Sequence, residues 1–206
     1  MRFATIRVSF DHWVNLAILF VLVARRFYLE HRAAHRMRFM WVSHSVHHSS
    51  EKMLATTSFR LVWTPIVSVL FLFCLPLVWI GFDPIWVYGT VTVNTTFQFL
   101  VHTELVPHVR WLEWFVNTPS AHRVHHASNP EYTDKNYGGV FLVWDHLFGI
   151  YQAERPDVAI RYGLLHERSS LYNPFVIAYG GLWELAKSMF RPGTARERLA
   201  RLFGSP

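Results

Sequence analysis

Histidine is the residue type through which this chain could do chemistry. His31-x-x-x-His35 is followed by His44-x-x-His47-His48, and the same H-x-x-H-H spacing returns at His122, His125 and His126. Eight of the 13 histidines fall in these three short clusters. On an α-helix, residues at i, i+3 and i+4 share a face. His44, His47 and His48 are therefore expected to point at a common centre, as are His122, His125 and His126, while His31 and His35 form a two-ligand face. Imidazole suits iron, zinc, copper or nickel, and eight imidazoles exceed what one ion accommodates, so two metal ions are the economical reading. Paired Glu-x-x-His, the mark of carboxylate-bridged dimetal bundles, is absent, so nitrogen would dominate a dinuclear centre here.

The other histidines divide. His102, beside Glu104, follows a long apolar run and is read as a ligand or as a donor behind one. His146, in Trp144-Asp145-His146, either lines the site or packs structurally. His12, His108 and His166 stand alone and are expected to be solvated or hydrogen-bonded side chains.

Whatever positions these clusters is apolar. The 206 residues are 51% hydrophobic and 17% aromatic, with nine Trp and 17 Phe, which is oily for a soluble domain of this size. A single domain, 1–206, is expected, with no linker or internal repeat. The net charge of +6 is interrupted by long uncharged runs and carries no nucleic-acid module, so anionic lipid is the better partner. The lone Cys74 lies in an apolar run, which excludes disulfides and thiolate ligation as organising devices. The apolar stretch near the N-terminus runs into Arg25 and Arg26, not into a small-residue cleavage site, so no cleavable signal peptide is expected.

Residues Trp13 to Ala24 are apolar for only 12 positions, which fits a tilted span or a half-inserted helix. Leu61 to Ile80 has 20 uncharged residues, with kinks expected at Pro65 and Pro76. After the break Gly81-Phe82-Asp83-Pro84, Ile85 to Val101 is again uncharged, so residues 61–101 read as a transmembrane hairpin. A hairpin returns the chain to the face it left, so a histidine-rich cap from 27–60 and 102–155 can close there. Arg25, Arg26, Arg32, Arg36, Arg38, Lys52 and Arg60 before the hairpin, with Arg110, Arg123 and Lys135 after it, mark that face as cytoplasmic. Residues about 171–190 carry apolar positions at helical spacing opposite Glu184 and Lys187, as in a helix lying along an interface. Arg191, Arg196, Arg198 and Arg201 in the tail would add affinity for anionic lipid. The fold class is therefore all-α: an integral membrane helical protein whose cytoplasmic cap holds a dimetal site.

HRAAH, WVSHSVHHSSE, HTELV and NTPSAHRVHHASNPEYTDKNYGGVFLVWDHLFG resemble, in order and spacing, the fatty acid hydroxylase/sterol desaturase superfamily, over about residues 27 to 155. Within it, the wording is nearest the alkylglycerol monooxygenase-like branch. The resemblance implies a di-iron centre that uses O2 to insert oxygen into a C–H bond of a sterol, fatty acyl or ether lipid, with zinc possible in purified protein. It implies His31, His35, His44, His47, His48, His122, His125 and His126 as metal ligands, with His102 matching the family's isolated histidine. Asn117, Asp134, Asn136 and Asp145 are read either as groups that fix imidazole tautomers or as caps and turns; Gln98, Glu104 and His146 join them as groups behind the ligands. An external reductant is implied, either a pterin or an electron-donor protein such as a cytochrome or ferredoxin.

The chain departs from the family wording at Ala24, where an aspartate is usual, at Leu29, Leu54 and Ala121, and at Gln98, where some members carry a second histidine. It is also short before the first cluster, where members generally have more membrane helices. Two other readings stand beside the hydroxylase: a desaturase of the same family, and a non-catalytic membrane protein with a structural zinc pair.

Overall fold

The computed structural model describes residues 8–10, 12–63, 69–164 and 173–206. They are all-helical, with two isolated β-bridges, Val116 to Phe141 and Ala127 to Tyr162, in place of any strand. α1, Trp13–Arg36, runs unbroken for 24 residues, so the short apolar run is only its first half. Arg26 stays inside the fold because it pairs with Glu30 one turn on, both buried. One extended residue, Met37, separates α1 from α2, Arg38–His48. That break folds α2 back on α1, so the histidines of both helices face each other.

The first limb of the expected hairpin is not one helix. A 310 segment covers Ala55–Trp63, a 310 turn covers Leu70–Phe73 after the left-handed Val69, and α3 is only Leu75–Ile80. The kink expected at Pro65 lies outside the described residues. Pro76 explains the late start of α3: it has no N–H and its ring clashes with the turn before it, so a helix takes it only in the first turn. Among the described residues, no helix is long and apolar enough to cross a membrane.

The break after it lies where the sequence put it. Gly81 turns with φ 122°, and Asp83 caps α4, Pro84–Val101, by accepting from the Ile85 N–H at 2.8 Å. Leu19 and Val23 of α1, Leu77 of α3, Phe82 of the turn and Val87 of α4 form an apolar cluster. α1 and α4 both lead from that cluster toward the histidines, which is what gives His31, His35 and His102 a common destination.

α7, Pro174–Phe190, does more than lie along a surface. It packs on α2, with Ala178 and Gly181 buried at the contact, while Phe175, Trp183 and Phe190 point outward. Residues 171 and 172 lie outside the described part. α8, Ala195–Phe203, starts in a capping box of Thr194 and Glu197 and packs Phe203 against Phe39. Arg201 is committed internally, because it donates to the carbonyls of Ser188, Arg191 and Pro192 at the end of α7. That removes it from the set of arginines expected to face lipid.

Candidate metal centre

The third histidine cluster sits on α5, Pro119–His126, a helix of only eight residues that needs outside support. Thr118 supplies it: its hydroxyl accepts from the Ala121 N–H at 3.2 Å and donates to Glu113 Oε1 at 2.7 Å. The buried Glu113 carboxylate also accepts from the Tyr151 hydroxyl at 2.6 Å, so α5 is tied to two other segments. Its His122, His125 and His126 meet α1, α2 and the end of α4.

Nine histidines converge into two groups. His31, His35, His44, His48 and His125 form one; His47, His102, His122 and His126 form the other; within each, the ligand nitrogens lie within 4.8 Å of one another. The expectation that each H-x-x-H-H shares one centre is corrected. The i, i+4 pair of each motif stays together, His44 with His48 and His122 with His126, while the third histidine, His47 or His125, crosses to the other group. Successive residues on a helix point about 100° apart, so neighbours such as His47 and His48 diverge. That angle makes a two-centre arrangement from a one-face motif.

The nitrogens present lone pairs to each other. His31 and His44 have Nε2 atoms 3.0 Å apart, His44 and His48 3.1 Å, His47 and His102 3.1 Å, and His102 and His122 3.0 Å. His35, His125 and His126 each bury an Nε2 with no hydrogen-bond partner. The far nitrogens explain which tautomer is held. Nδ1 donates to the carbonyl of Tyr137 from His31 at 2.8 Å, of Thr57 from His47 at 3.2 Å, of Gln98 from His102 at 2.6 Å and of Lys135 from His125 at 3.0 Å. A proton fixed on Nδ1 leaves the Nε2 lone pair free for a cation. Burial pushes all nine below the ordinary histidine range, His31 to about 3 and His102 to about 4. Neutral, convergent imidazoles, three of them with an unpartnered Nε2, fit a pair of transition-metal ions, and no carboxylate joins either group among the described residues.

The expected supporting residues act mostly through the backbone. Asp145, fully buried, accepts from the Tyr137 and Gly138 N–H groups at 2.7 and 2.9 Å, and so holds the carbonyl that His31 uses. Asn117 donates to Gly138 and Gly139 carbonyls and stands 3.4 Å from His122 Nδ1. Asn136, in the left-handed region, bonds Ala121 and Gln152. Asp134, also left-handed, accepts from Tyr137 OH and Arg36. Gln98 meets His102 through its carbonyl while its amide donates to Asn94. Glu104 is exposed and accepts from the Met53 N–H, away from His102. His146, on α6, Val143–Leu147, donates to the Glu113 carbonyl between the rings of Trp114 and Tyr151, apart from both groups. His108 reaches Ser120, His12 is exposed, and His166 lies outside the described residues.

Sequence reasoning passed over Tyr137, whose ring lies 5.1 Å from that of His35, and Trp41, whose ring lies 5.0 Å from His35 and 5.6 Å from His48. Trp41 sits six residues after His35 and three before His44, at helical spacing from the second cluster, a placement that could have flagged it. Gly139 is needed where it is: a Cβ there would stand 2.6 Å from Phe27 and 2.8 Å from Gln98. A cavity of about 360 Å³ opens against His35, His48, His125 and His126, with Trp41, Ser128, Thr133 and Asp134 in its wall.

The sequence model of the family described as fatty acid hydroxylase matches residues 16–150, which contain all nine convergent histidines. The chain belongs to the fatty acid hydroxylase family. It is 38% identical over 166 residues to the human alkylglycerol monooxygenase, covering 77% of this chain and 35% of that protein, and 37% identical over 159 residues to the Caenorhabditis elegans one, covering 77% and 31%. An ornithine lipid hydroxylase of Rhizobium tropici is 28% identical over 145 residues, covering 68% of this chain and 44% of that one. The chain thus spans about a third of the length of the alkylglycerol monooxygenases it matches. No solved structure matches it.

Proposed function

We propose that this chain carries a di-iron centre that oxidises lipid, with O2 as co-substrate. The observation that carries the reading is the pair of adjacent, all-imidazole groups in a member of the fatty acid hydroxylase family. When bound, two iron ions supply reductive activation of O2, so that one oxygen enters a C–H bond, the other leaves as water, and an external donor gives two electrons. The protein's own part is positional. Backbone carbonyls of Tyr137, Thr57, Gln98 and Lys135 hold four imidazoles in the tautomer a cation needs, and burial keeps bulk water from the reacting atoms. Whether oxygen insertion or desaturation follows depends on where the C–H bond is held.

Lipid as substrate is supported by the relatives' names and by the apolar surface. Trp13, Trp79, Trp86 and Tyr88, all exposed, surround the end of the molecule built from α1, α3 and α4. Such a surface suits immersion in a bilayer, with basic residues on the histidine side facing the cytoplasm. The reductant is a pterin or a donor protein.

A structural zinc pair uses the same ligands, but such sites are closed, and the cavity against four of these histidines favours the catalytic reading. Metal analysis of purified protein, followed by turnover of a lipid mixture under 18O2 with a reductant, tests the proposal. About two irons per chain and 18O-labelled lipid are expected. Tightly held zinc with no O2 consumption under any reductant sinks it.

A further inference from the structure

His102 is the one convergent histidine that stands outside the three clusters, and its own backbone supports it weakly. α4 ends at Val101, His102 has left helical geometry with φ −81° and ψ 72°, and residues 102–109 take up neither helix nor strand. The Nδ1 bond to the Gln98 carbonyl orients its ring on α4. That bond is local, and it leaves open how closely the end of α4 approaches α5, whose His122 Nε2 lies 3.0 Å from His102 Nε2. A contact between the two helices has to set that reach.

Arg123 spans the gap. It follows His122 on α5, and its side chain is buried. Nη1 donates to the carbonyls of Thr103 and Val106 at 3.1 and 2.8 Å, in the turn directly after His102. Nε and Nη2 donate to Glu154 Oε2 at 3.1 and 2.7 Å, which balances the charge and fixes the plane of the guanidinium. Carbonyls outside regular structure have no ladder to supply their donors, so a side chain that reaches them decides where that backbone lies. A guanidinium does this with five N–H groups in a rigid fork, whereas an ammonium is a point charge on a flexible stem. One buried side chain thus ties the end of α4 to α5. Of the group His47, His102, His122 and His126, three members stand on the two elements it joins.

We propose that Arg123 is a positioning residue for this group: it sets the approach of His102 to His122, and the ion held there depends on it through His102. The proposal rests on the two-ion part of the reading above, and on neither iron nor lipid oxidation. Cobalt(II) is titrated into the metal-free protein against a competing chelator, with its visible absorption as the readout. The native chain should bind two ions. Arg123→Gln should weaken one of them about 10-fold to 100-fold and leave the other unchanged. Arg123→Lys keeps the charge beside Glu154 but cannot reach the carboxylate and both carbonyls with one ammonium, so it should recover little of that loss, and it carries the same test where the glutamine variant fails to fold. His102→Ala should weaken the same ion. Because Arg123 acts through His102, the double variant should bind no more weakly than His102→Ala alone. His108→Ala, which leaves the Arg123 bonds in place, should bind both ions as the native chain does. Losses that add in the double variant, equal weakening of both ions, unchanged binding in Arg123→Gln or full affinity in Arg123→Lys would each overturn the assignment. Fewer than two ions in the native chain sinks the two-ion reading, and the proposal with it, before any variant is compared. A zinc pair with no oxygen chemistry leaves the proposal standing.

Discussion

The two histidine groups are built from the same residue type and differ in their walls. The group of His47, His102, His122 and His126 is buried throughout, and the carbonyls of Thr57 and Gln98 hold two of its far nitrogens. The group of His31, His35, His44, His48 and His125 has two half-buried members, His35 and His44, and meets the cavity through three of its five histidines. In the second, the carbonyls of Tyr137 and Lys135 hold His31 and His125, and the Trp41 and Tyr137 rings pack beside His35 as well. Each group has two imidazoles held by backbone carbonyls, while the cavity meets three histidines of the second, the open group, and only His126 of the first, the closed group. In a two-ion site this division lets one ion be retained firmly while the other meets what enters from the cavity.

The largest effect should come from the histidines that cross between groups. His125→Ala removes a ligand from the open group and disturbs α5, which also serves the closed one. Turnover should fall to background and metal content from about two per chain to one or fewer. His108→Ala, which loses the contacts with Ser120 and Glu154 but touches neither group, should keep both metals. Metal analysis of the two variants decides it, and equal losses would break the assignment.

Next in size is acid sensitivity of the metal-free protein. Each of the nine histidines has its folded pKa lowered by burial, so below pH 6.5 the unfolded chain takes up protons that the folded one refuses. The stability that neutral histidines contribute is present above pH 6.5 and is lost as pH falls toward their folded values. The loss deepens as pH falls below 6.5, so the metal-free protein should unfold in mildly acidic solution. Metal-loaded protein should survive to lower pH, and circular dichroism of both forms against pH measures the gap. Coincident curves would mean that the histidines are not buried as a set.

The nine histidines were legible because helical periodicity is written in spacing, and the turn at residues 81–84 because Gly and Pro punctuate a chain. The division of each H-x-x-H-H between two centres was not, since spacing gives a shared face and leaves open how many ions stand before it. The braces of His31, His47, His102 and His125 are backbone carbonyls, which any residue could supply, so no residue type announces them. The first limb of the hairpin misled for a different reason. Absence of charge from Leu61 to Ile80 says what the segment is soluble in, while Val69 and Pro76 decide that it is not one helix.

A chelator sharpens the comparison further. A small water-soluble one should remove metal in two phases, the fast phase from the group that meets the cavity through three histidines and the slow phase from the group that meets it only through His126. Leu164→Trp, which puts a ring into the cavity wall, should slow the first phase more than the second. A single phase, or equal slowing of both, would show that the two groups do not differ in access.

The smallest effect isolates one brace of the open group. Asp145 takes two N–H bonds and thereby fixes the Tyr137 carbonyl for His31. Asparagine offers one acceptor and one donor, so Asp145→Asn sets an amide against an N–H and loosens that carbonyl. Metal affinity of the open group should weaken by about 10-fold to 100-fold, as for other groups behind a ligand, with the closed group unaffected. The pH dependence has a fixed sign. Burial raises the Asp145 carboxyl to about 7, against the pull of the Tyr137 and Gly138 N–H groups, so the fold favours its neutral form. Its contribution to stability is then fullest below its unfolded value near 4 and erodes as pH rises through 7. The melting temperature of the native chain should therefore exceed that of Asp145→Asn by more at pH 5 than at pH 8, and a gap that widens with pH would show that the carboxylate is stabilised in the fold as a charge.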